Sequence, residues 1–148
     1  MGIRIFILLI FISLPSLAQK VKWASQIISV SSEYKDPLLG KEYRALQSLG
    51  RPSKYPKMSA TPSAWQSMTP DSPDGEYLLV GFDTTMAVKQ IAIFENFGAG
   101  SITSVDGLDQ NNKIYPIRTF SPSYNSSSSQ VTSIRLPVKT SFKLKGIK

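Results

Sequence analysis

The sequence predicts an all-β protein. Short runs rich in β-branched and aromatic residues recur along the chain, turn residues separate most of these runs, and helical periodicity is almost absent. Such a pattern is typical of a β-sandwich or a β-barrel. The 148-residue chain has the size of one ordinary domain, so we expect a single hydrophobic core.

The start of the chain predicts a cleaved secretory signal peptide over residues 1–18. Arg4 gives a basic start, residues 5–14 form an apolar run, and Ser16 and Ala18 supply the small residues of a cleavage site. A membrane-spanning helix needs roughly 20 apolar residues, so a retained anchor is the weaker alternative. We therefore expect an exported mature domain over residues 19–148, without a transmembrane segment.

Two predicted strands enclose a long loop in the first half of the mature chain. Residues 27–32 form a β-rich run, and residues 77–82 form another after the turn signal Asp-Ser-Pro-Asp-Gly at 71–75. Repeated prolines between these strands favour a loop as far as about residue 64. Within that loop, residues 42–49 fit one or two helical turns that end at Gly50.

The second half of the chain alternates strand signals with polar turns. Residues 109–112 are a turn of aspartate and amide residues that joins two strands as a hairpin, and the serine-rich residues 122–130 are typical of a surface loop. The predicted strands of this half are 88–94, 102–108, 113–115, 131–136 and 141–147.

The composition excludes several kinds of chemistry. The chain has no histidine and no cysteine, so the commonest general base, thiol nucleophiles, disulfides and the usual zinc ligands are all absent. Carboxylates remain, as Asp71 with Asp74 and Glu33 with Asp36, but each pair brackets a turn, where backbone geometry explains such residues. We therefore predict that the protein is not an enzyme and has no catalytic residues.

The net charge of +7 does not by itself predict a nucleic-acid partner. Near the C-terminus, Lys143 and Lys145 alternate with Phe142 and Leu144, as expected of a strand with one wet face. Single-strand binders instead combine a basic groove with exposed aromatic residues. We expect no nucleic-acid partner, while an anionic glycan or a phosphorylated surface stays open as an alternative.

The order of these segments resembles that of a known family. The chain has a β-rich run at 25–34, then a long loop that ends in Ala-Trp-Gln at 64–66, and then Glu-Tyr-Leu-Leu-Val-Gly-Phe-Asp at 76–83. Leu-Gly-Arg-Pro at 49–52 and Phe-Glu-Asn-Phe-Gly-Ala-Gly at 94–100 add to the likeness. Over roughly residues 21–120 the chain resembles the discoidin, or coagulation factor type C, domain. The likeness is to the kind found N-terminally in OmpA-type cell-envelope proteins of the Bacteroidetes.

The resemblance implies a galactose-binding-like jelly-roll β-sandwich with ligand sites on the loops at one end. It implies that the protein binds a glycan or another envelope ligand, in the periplasm, at the outer membrane or outside a Gram-negative cell. Alternatively, the protein is a structural module that docks an envelope protein. The family usually has one or two further strands, so a truncated C-terminal end is expected, with residues 141–147 as an open edge for a strand-addition partner.

Candidate ligand-binding residues lie in the predicted loops. Tyr34, Tyr55 and Trp65 are aromatic anchors for a sugar or an apolar group, although Trp65 is better explained by packing under the sandwich. Arg51 offers a planar set of donors, with a loop-holding salt bridge as the alternative.

Two further candidate ligand-binding residues lie at a strand end, and two segments are considered as metal sites. Glu95 and Asn96 end a predicted strand, where Glu95 is also suited to hold backbone amides. The resemblance leaves room for a structural calcium between residues 34 and 55, but no motif there supports it, and no other cofactor is expected. Residues 106–112 are rich in oxygen ligands but are better explained as a hairpin turn.

Overall fold

The computed structural model describes residues 20–38, 40–53, 61–69, 72–121, 132–138 and 140–148. Within these ranges the protein is all-β apart from one short 3-10 helix, which confirms the predicted class. The signal peptide prediction and the 122–130 loop lie outside the described residues. The elements are β1 (Gln26–Val30), the 3-10 helix (Ala45–Ser48), β2 (Leu78–Met86), β3 (Gln90–Glu95), β4 (Ser104–Asp109), β5 (Ile114–Thr119), β6 (Thr132–Pro137) and β7 (Leu144–Ile147).

The strands form two antiparallel sheets. The larger has the order β1-β2-β7-β4-β5, and the smaller pairs β3 with β6. Buried residues of both sheets meet in one cluster, so the sheets pack face to face in a sandwich-like arrangement. The cluster comprises Ile91 of β3, Val105 of β4, Leu136 of β6 and Leu144 of β7.

The last strand lies inside the larger sheet, which makes the prediction of an open C-terminal edge, and of a strand-addition partner there, wrong. Ile147 is paired with Val80 of β2 on one side and with Gly107 of β4 on the other. A Cβ at Gly146 would stand 2.5 Å from the carbonyl oxygen of Val80, so only glycine permits this approach. Alternation of lysine with apolar residues describes any strand with one wet face, interior or edge, which is why it misled the prediction.

The predicted helical turns are shorter than expected. The 3-10 helix covers Ala45–Ser48 and is followed at Gly50 by a positive φ of 77°. The backbone N–H of Gly50 donates to the carbonyl of Ala24 at 2.8 Å, which ties the loop to the chain just before β1. The 3-10 helix lies beside β1, and its Ala45 is buried. The loop thereby packs against a strand whose one partner among the described strands is β2.

The strand register defines two ends of the larger sheet. At the first, Val30 of β1 pairs with Leu78 of β2, and the loop of residues 31–77 connects the two strands. We call this the long-loop end. At the opposite end, Leu144 of β7 pairs with Met86 and Asp109, beside the turn from β4 to β5. We call this the hairpin end. Among the described residues no helix has the length and apolar character that a membrane crossing requires.

Candidate functional site

Glu33 holds the start of the 3-10 helix at the long-loop end. One oxygen of its carboxylate accepts a hydrogen bond from the backbone N–H of Ala45 at 2.9 Å, and the other accepts one from the guanidinium of Arg44 at 2.8 Å. The backbone bond, followed by the bond from Arg44, lowers the pKa of Glu33 below its ordinary value of 4.5. Both oxygens are therefore engaged within the protein.

A second carboxylate at the same end closes the loop. Glu76 accepts hydrogen bonds from the hydroxyls of Ser31 and Ser32, the latter at 2.8 Å. The two hydroxyls also accept bonds from backbone amides, Ser31 from Tyr77 at 2.8 Å and Ser32 from Met68 at 3.0 Å. Each serine thus links the carboxylate to the backbone, and the network fixes the strand-to-loop junctions.

The predicted aromatic anchors Tyr34 and Trp65 lie together here and are half-buried. The indole N–H of Trp65 donates to the carbonyl of Ser32 at 3.0 Å. The ring of Tyr34 meets that of Tyr43 edge to face, with centroids 5.7 Å apart. Both residues therefore help to build the loop, which agrees with the packing alternative for Trp65. Tyr55 lies outside the described residues.

Arg51 is not part of this group. It is exposed and follows Gly50, which is bonded to Ala24 at the amino end of β1. Tyr34 lies beyond the carboxyl end of that strand, whose five extended residues span about 16 Å. The structure therefore does not bring Arg51 and Tyr34 to the same end of β1.

Glu95 and Asn96 bond to neighbouring loops. The carboxylate of Glu95 accepts a hydrogen bond from the backbone N–H of Gly100 at 3.4 Å, so it holds a backbone amide, the structural alternative weighed above. The side-chain amide of Asn96 donates to the hydroxyl of Thr61 at 3.0 Å. These contacts are intramolecular, and the predicted site residues do not form one common site among the described residues.

At the hairpin end, Asp109 organises the turn. It is only 7% exposed, and one carboxylate oxygen accepts the backbone N–H groups of Asn111 at 2.8 Å and Lys113 at 2.9 Å. Asn112 adopts a left-handed φ of 65°, which asparagine tolerates better than most residues. The interpretation of these residues as turn chemistry is confirmed. In the described ranges no group of three or more acidic side chains is placed to hold a metal ion.

Beside this turn an open cleft of about 350 Å³ separates the hairpin from the segment that leads into β7. Its apolar wall is Phe142, whose ring stacks on Tyr115 with centroids 4.4 Å apart and planes 26° from parallel. Exposed amide, hydroxyl and ammonium side chains supply the polar rim. The cleft is lined by Asp109, Gln110, Asn111, Ser141, Phe142 and Lys143.

One lysine lines this cleft, and two more contact residues next to its lining. Lys143 lines it, and the ammonium of Lys113 stands 5.0 Å from the ring centroid of Tyr115. The ammonium of Lys145 donates to the side-chain oxygen of Asn112 at 2.7 Å. The nearest acidic group, Asp109, is buried and accepts two backbone amides. The cleft is therefore a site of positive charge and of hydrogen-bond donors.

Sequence reasoning missed this cleft as a site. It identified residues 109–112 as a turn and Phe142 as a strand residue, but it gave no reason to place them against each other. Their sequence separation is about thirty residues, and contact between them depends on β7 lying beside β4. The one local sequence feature that could have indicated the cleft is the pair of amide residues Gln110 and Asn111 in a turn.

The chain was also compared with known proteins. No protein-family model matches it, and no curated protein matches it either.

Proposed function

We propose that this protein is a non-catalytic, exported binding module that holds a carbohydrate in the cleft at the hairpin end. The observation that carries the proposal is the cleft of about 350 Å³, in which Gln110, Asn111 and Ser141 surround the half-buried ring of Phe142. This volume falls within the usual range for small-ligand sites, which combine an apolar wall with a few polar groups.

The side chains of the cleft suit a sugar. Amides donate and accept hydrogen bonds at once, as sugar hydroxyls do, and an aromatic ring offers a flat apolar surface for the C–H face of a pyranose. Phe142 is held by its stack on Tyr115, so little side-chain entropy is lost when a ligand packs against it. At the long-loop end, Tyr34, Trp65, Glu33 and Glu76 are engaged within the protein, so they support the loop better than they support a ligand.

The fold and location belong to the same proposal. The resemblance to discoidin domains and the two antiparallel sheets support a galactose-binding-like jelly roll, in which loops at one end bind the ligand. The leader-like residues 1–18 support export to the envelope of a Gram-negative bacterium or beyond it. Fold alone names no ligand, so the carbohydrate rests on the cleft.

Docking of an envelope protein by strand addition has less support. β7 lies between two other strands, and β1 is packed by the long loop. The outer strand β5 contains Pro116, which has no N–H to offer an incoming strand. Within the described part of the larger sheet, β7 therefore offers no edge to such a partner, and the edge of β5 is interrupted at Pro116.

A glycan array tests the proposal. The purified protein is compared with a Gln110→Ala, Asn111→Ala double variant, which removes two exposed amides from the cleft and leaves the backbone bonds of the turn in place. Gln66→Ala removes an exposed amide from the long-loop end and is the matched control. Circular dichroism confirms that all three samples are folded.

We expect selective binding to a small set of glycans, reduced at least tenfold in the double variant and retained in Gln66→Ala. Binding that survives in the double variant and is lost in Gln66→Ala would move the site to the long-loop end. An absence of binding by a folded sample would refute the carbohydrate function.

A further inference from the structure

We infer that the ligand of the hairpin-end cleft is an anionic saccharide, a sugar that carries a carboxylate or sulfate group. The inference rests on the proposed function and specifies its ligand class. Lys143 lines the cleft, and Lys113 and Lys145 lie next to it, on Tyr115 and Asn112. The single acidic side chain of the lining is buried and already hydrogen-bonded.

The charges of these three lysines are not neutralised by carboxylates. In the described part of the chain the ion pairs are Lys22 with Asp83 and Arg44 with Glu33, neither of which includes a lysine of the cleft. Lys145 is bonded to a neutral amide, and Lys113 lies near an aromatic ring. An anionic ligand would therefore meet ammonium groups that no carboxylate already pairs.

The remaining carboxylate does not oppose an anion strongly. Asp109 lines the cleft, but one of its oxygens accepts two backbone amides within the turn, and its side chain is almost wholly buried. Its negative charge is therefore partly compensated by amide dipoles. The exposed ammonium of Lys143, at the rim, is free to orient toward a ligand carboxylate or sulfate.

The charges at the long-loop end differ from those at the cleft. There, Glu33 and Glu76 accompany the exposed Lys35, and Lys148 lies 4.5 Å from the ring centroid of Tyr77. Charge at that end is mixed, whereas the exposed charge in the lining of the hairpin-end cleft is that of Lys143. The chain's positive charge is thus represented at this cleft by Lys143, with Lys113 and Lys145 beside it.

The test compares matched ligands by titration calorimetry. The carboxylate arm uses an oligogalacturonate and its carboxyl-reduced form, and the sulfate arm uses a sulfated oligosaccharide and its desulfated form. A single-stranded oligonucleotide of equal charge controls for attraction that depends on charge alone. The Lys113→Gln, Lys143→Gln double variant removes one charge from the cleft and one beside it, and Lys35→Gln removes one from the long-loop end.

We expect one anionic saccharide to bind at least tenfold more tightly than its neutral form. The double variant should lose about three- to fivefold per lysine removed, as expected for partly exposed ion pairs, and Lys35→Gln should lose nothing. Raising the salt concentration should weaken binding of the anionic form only. Binding in the oligogalacturonate arm would identify a carboxylate as the recognised group, and binding in the sulfated arm would identify a sulfate.

Other outcomes would overturn the inference in separable ways. Equal affinity for charged and neutral forms would refute the charge requirement and leave the carbohydrate function standing. Equal affinity for the oligonucleotide would refute saccharide recognition, and with it both proposals. Tight binding that is unchanged in the double variant would place the anionic site elsewhere.

Discussion

The two ends of the larger sheet use their polar residues in opposite ways. At the long-loop end, the carboxylates of Glu33 and Glu76 and the indole of Trp65 bond to the loop that carries them. At the hairpin end, Asp109 alone organises the turn, and Gln110, Asn111 and Lys143 line an open cleft. Residue types that are typical of ligand sites therefore mark structure at one end and accompany a cleft at the other.

The difference teaches that hydrogen-bond partners, rather than residue type, separate structural from functional candidates. A long loop without disulfides has many backbone groups to satisfy, and its polar side chains are used for that purpose. A short turn satisfies its own backbone through one aspartate, which leaves the remaining side chains available.

The largest expected effect is on the core that joins both ends. Leu144→Ala removes a side chain that is 0% exposed and should lower the free energy of unfolding by about 2–5 kcal/mol. Urea denaturation measures the change, and Leu38→Ala, at a side chain that is 93% exposed, is the control with no expected loss. A loss below about 1 kcal/mol for Leu144→Ala would contradict the interior position of β7.

The next effect separates the two ends directly. Trp65→Phe keeps an aromatic ring but leaves the carbonyl of Ser32 without its indole donor, so we expect a loss of about 1–2 kcal/mol in stability. Binding at the cleft should be unchanged under conditions where the variant is folded. A variant of full stability that had lost ligand binding would show that Trp65 contacts the ligand.

The pH dependence of stability tests Glu33. Its folded-state pKa lies below 4.5, so its contribution is fully present above pH 4.5 and is lost as the pH falls through the folded-state value. Glu33→Gln should cost about 1 kcal/mol at pH 7 and much less near pH 2. Glu42→Gln, in the same loop, is the matched control. An equal cost at both pH values would exclude the carboxylate charge as the cause.

The smallest effect concerns the turn at the hairpin end. Asn112→Gly relieves the positive φ but removes the acceptor of Lys145, so the net change in stability should stay within about 0.5 kcal/mol. Asn112→Ala keeps the strained φ, loses the same acceptor and should cost about 1 kcal/mol. Thermal unfolding of both variants measures the difference, and a glycine variant less stable than the alanine variant would contradict this account of the turn.

The sequence predicts the strands better than their arrangement. Strands 88–94 and 102–108 and the turn at 109–112 emerge because β-rich runs and turn residues act locally. The interior position of β7 cannot be predicted from the sequence, because a strand with alternating lysines has the same pattern at an edge as in the middle of a sheet. The one local indication of that position is Gly146, because the absence of a Cβ there lets the carbonyl of Val80 approach.

The candidate site is harder to predict for the same reason. Trp65 and Glu95 are candidates for ligand binding by residue type. Whether each binds a ligand or bonds to the backbone depends on which backbone groups lie within reach, and the sequence does not specify this. The cleft requires residues 109–111 to face residues 141–143, a contact set by the pairing of β4 with β7. Long-range pairing therefore determines the site, and local patterns indicate only its parts.

The central claim is that ligand binds at the hairpin end, and the most direct test is an NMR titration of the ¹⁵N-labelled protein. The probes are oligogalacturonate, a sulfated oligosaccharide and their neutral forms. The account predicts that amide shifts for the bound probe concentrate in residues 109–113 and 141–145. Shifts concentrated in residues 31–34 and 65–68, with the hairpin end unchanged, would contradict it.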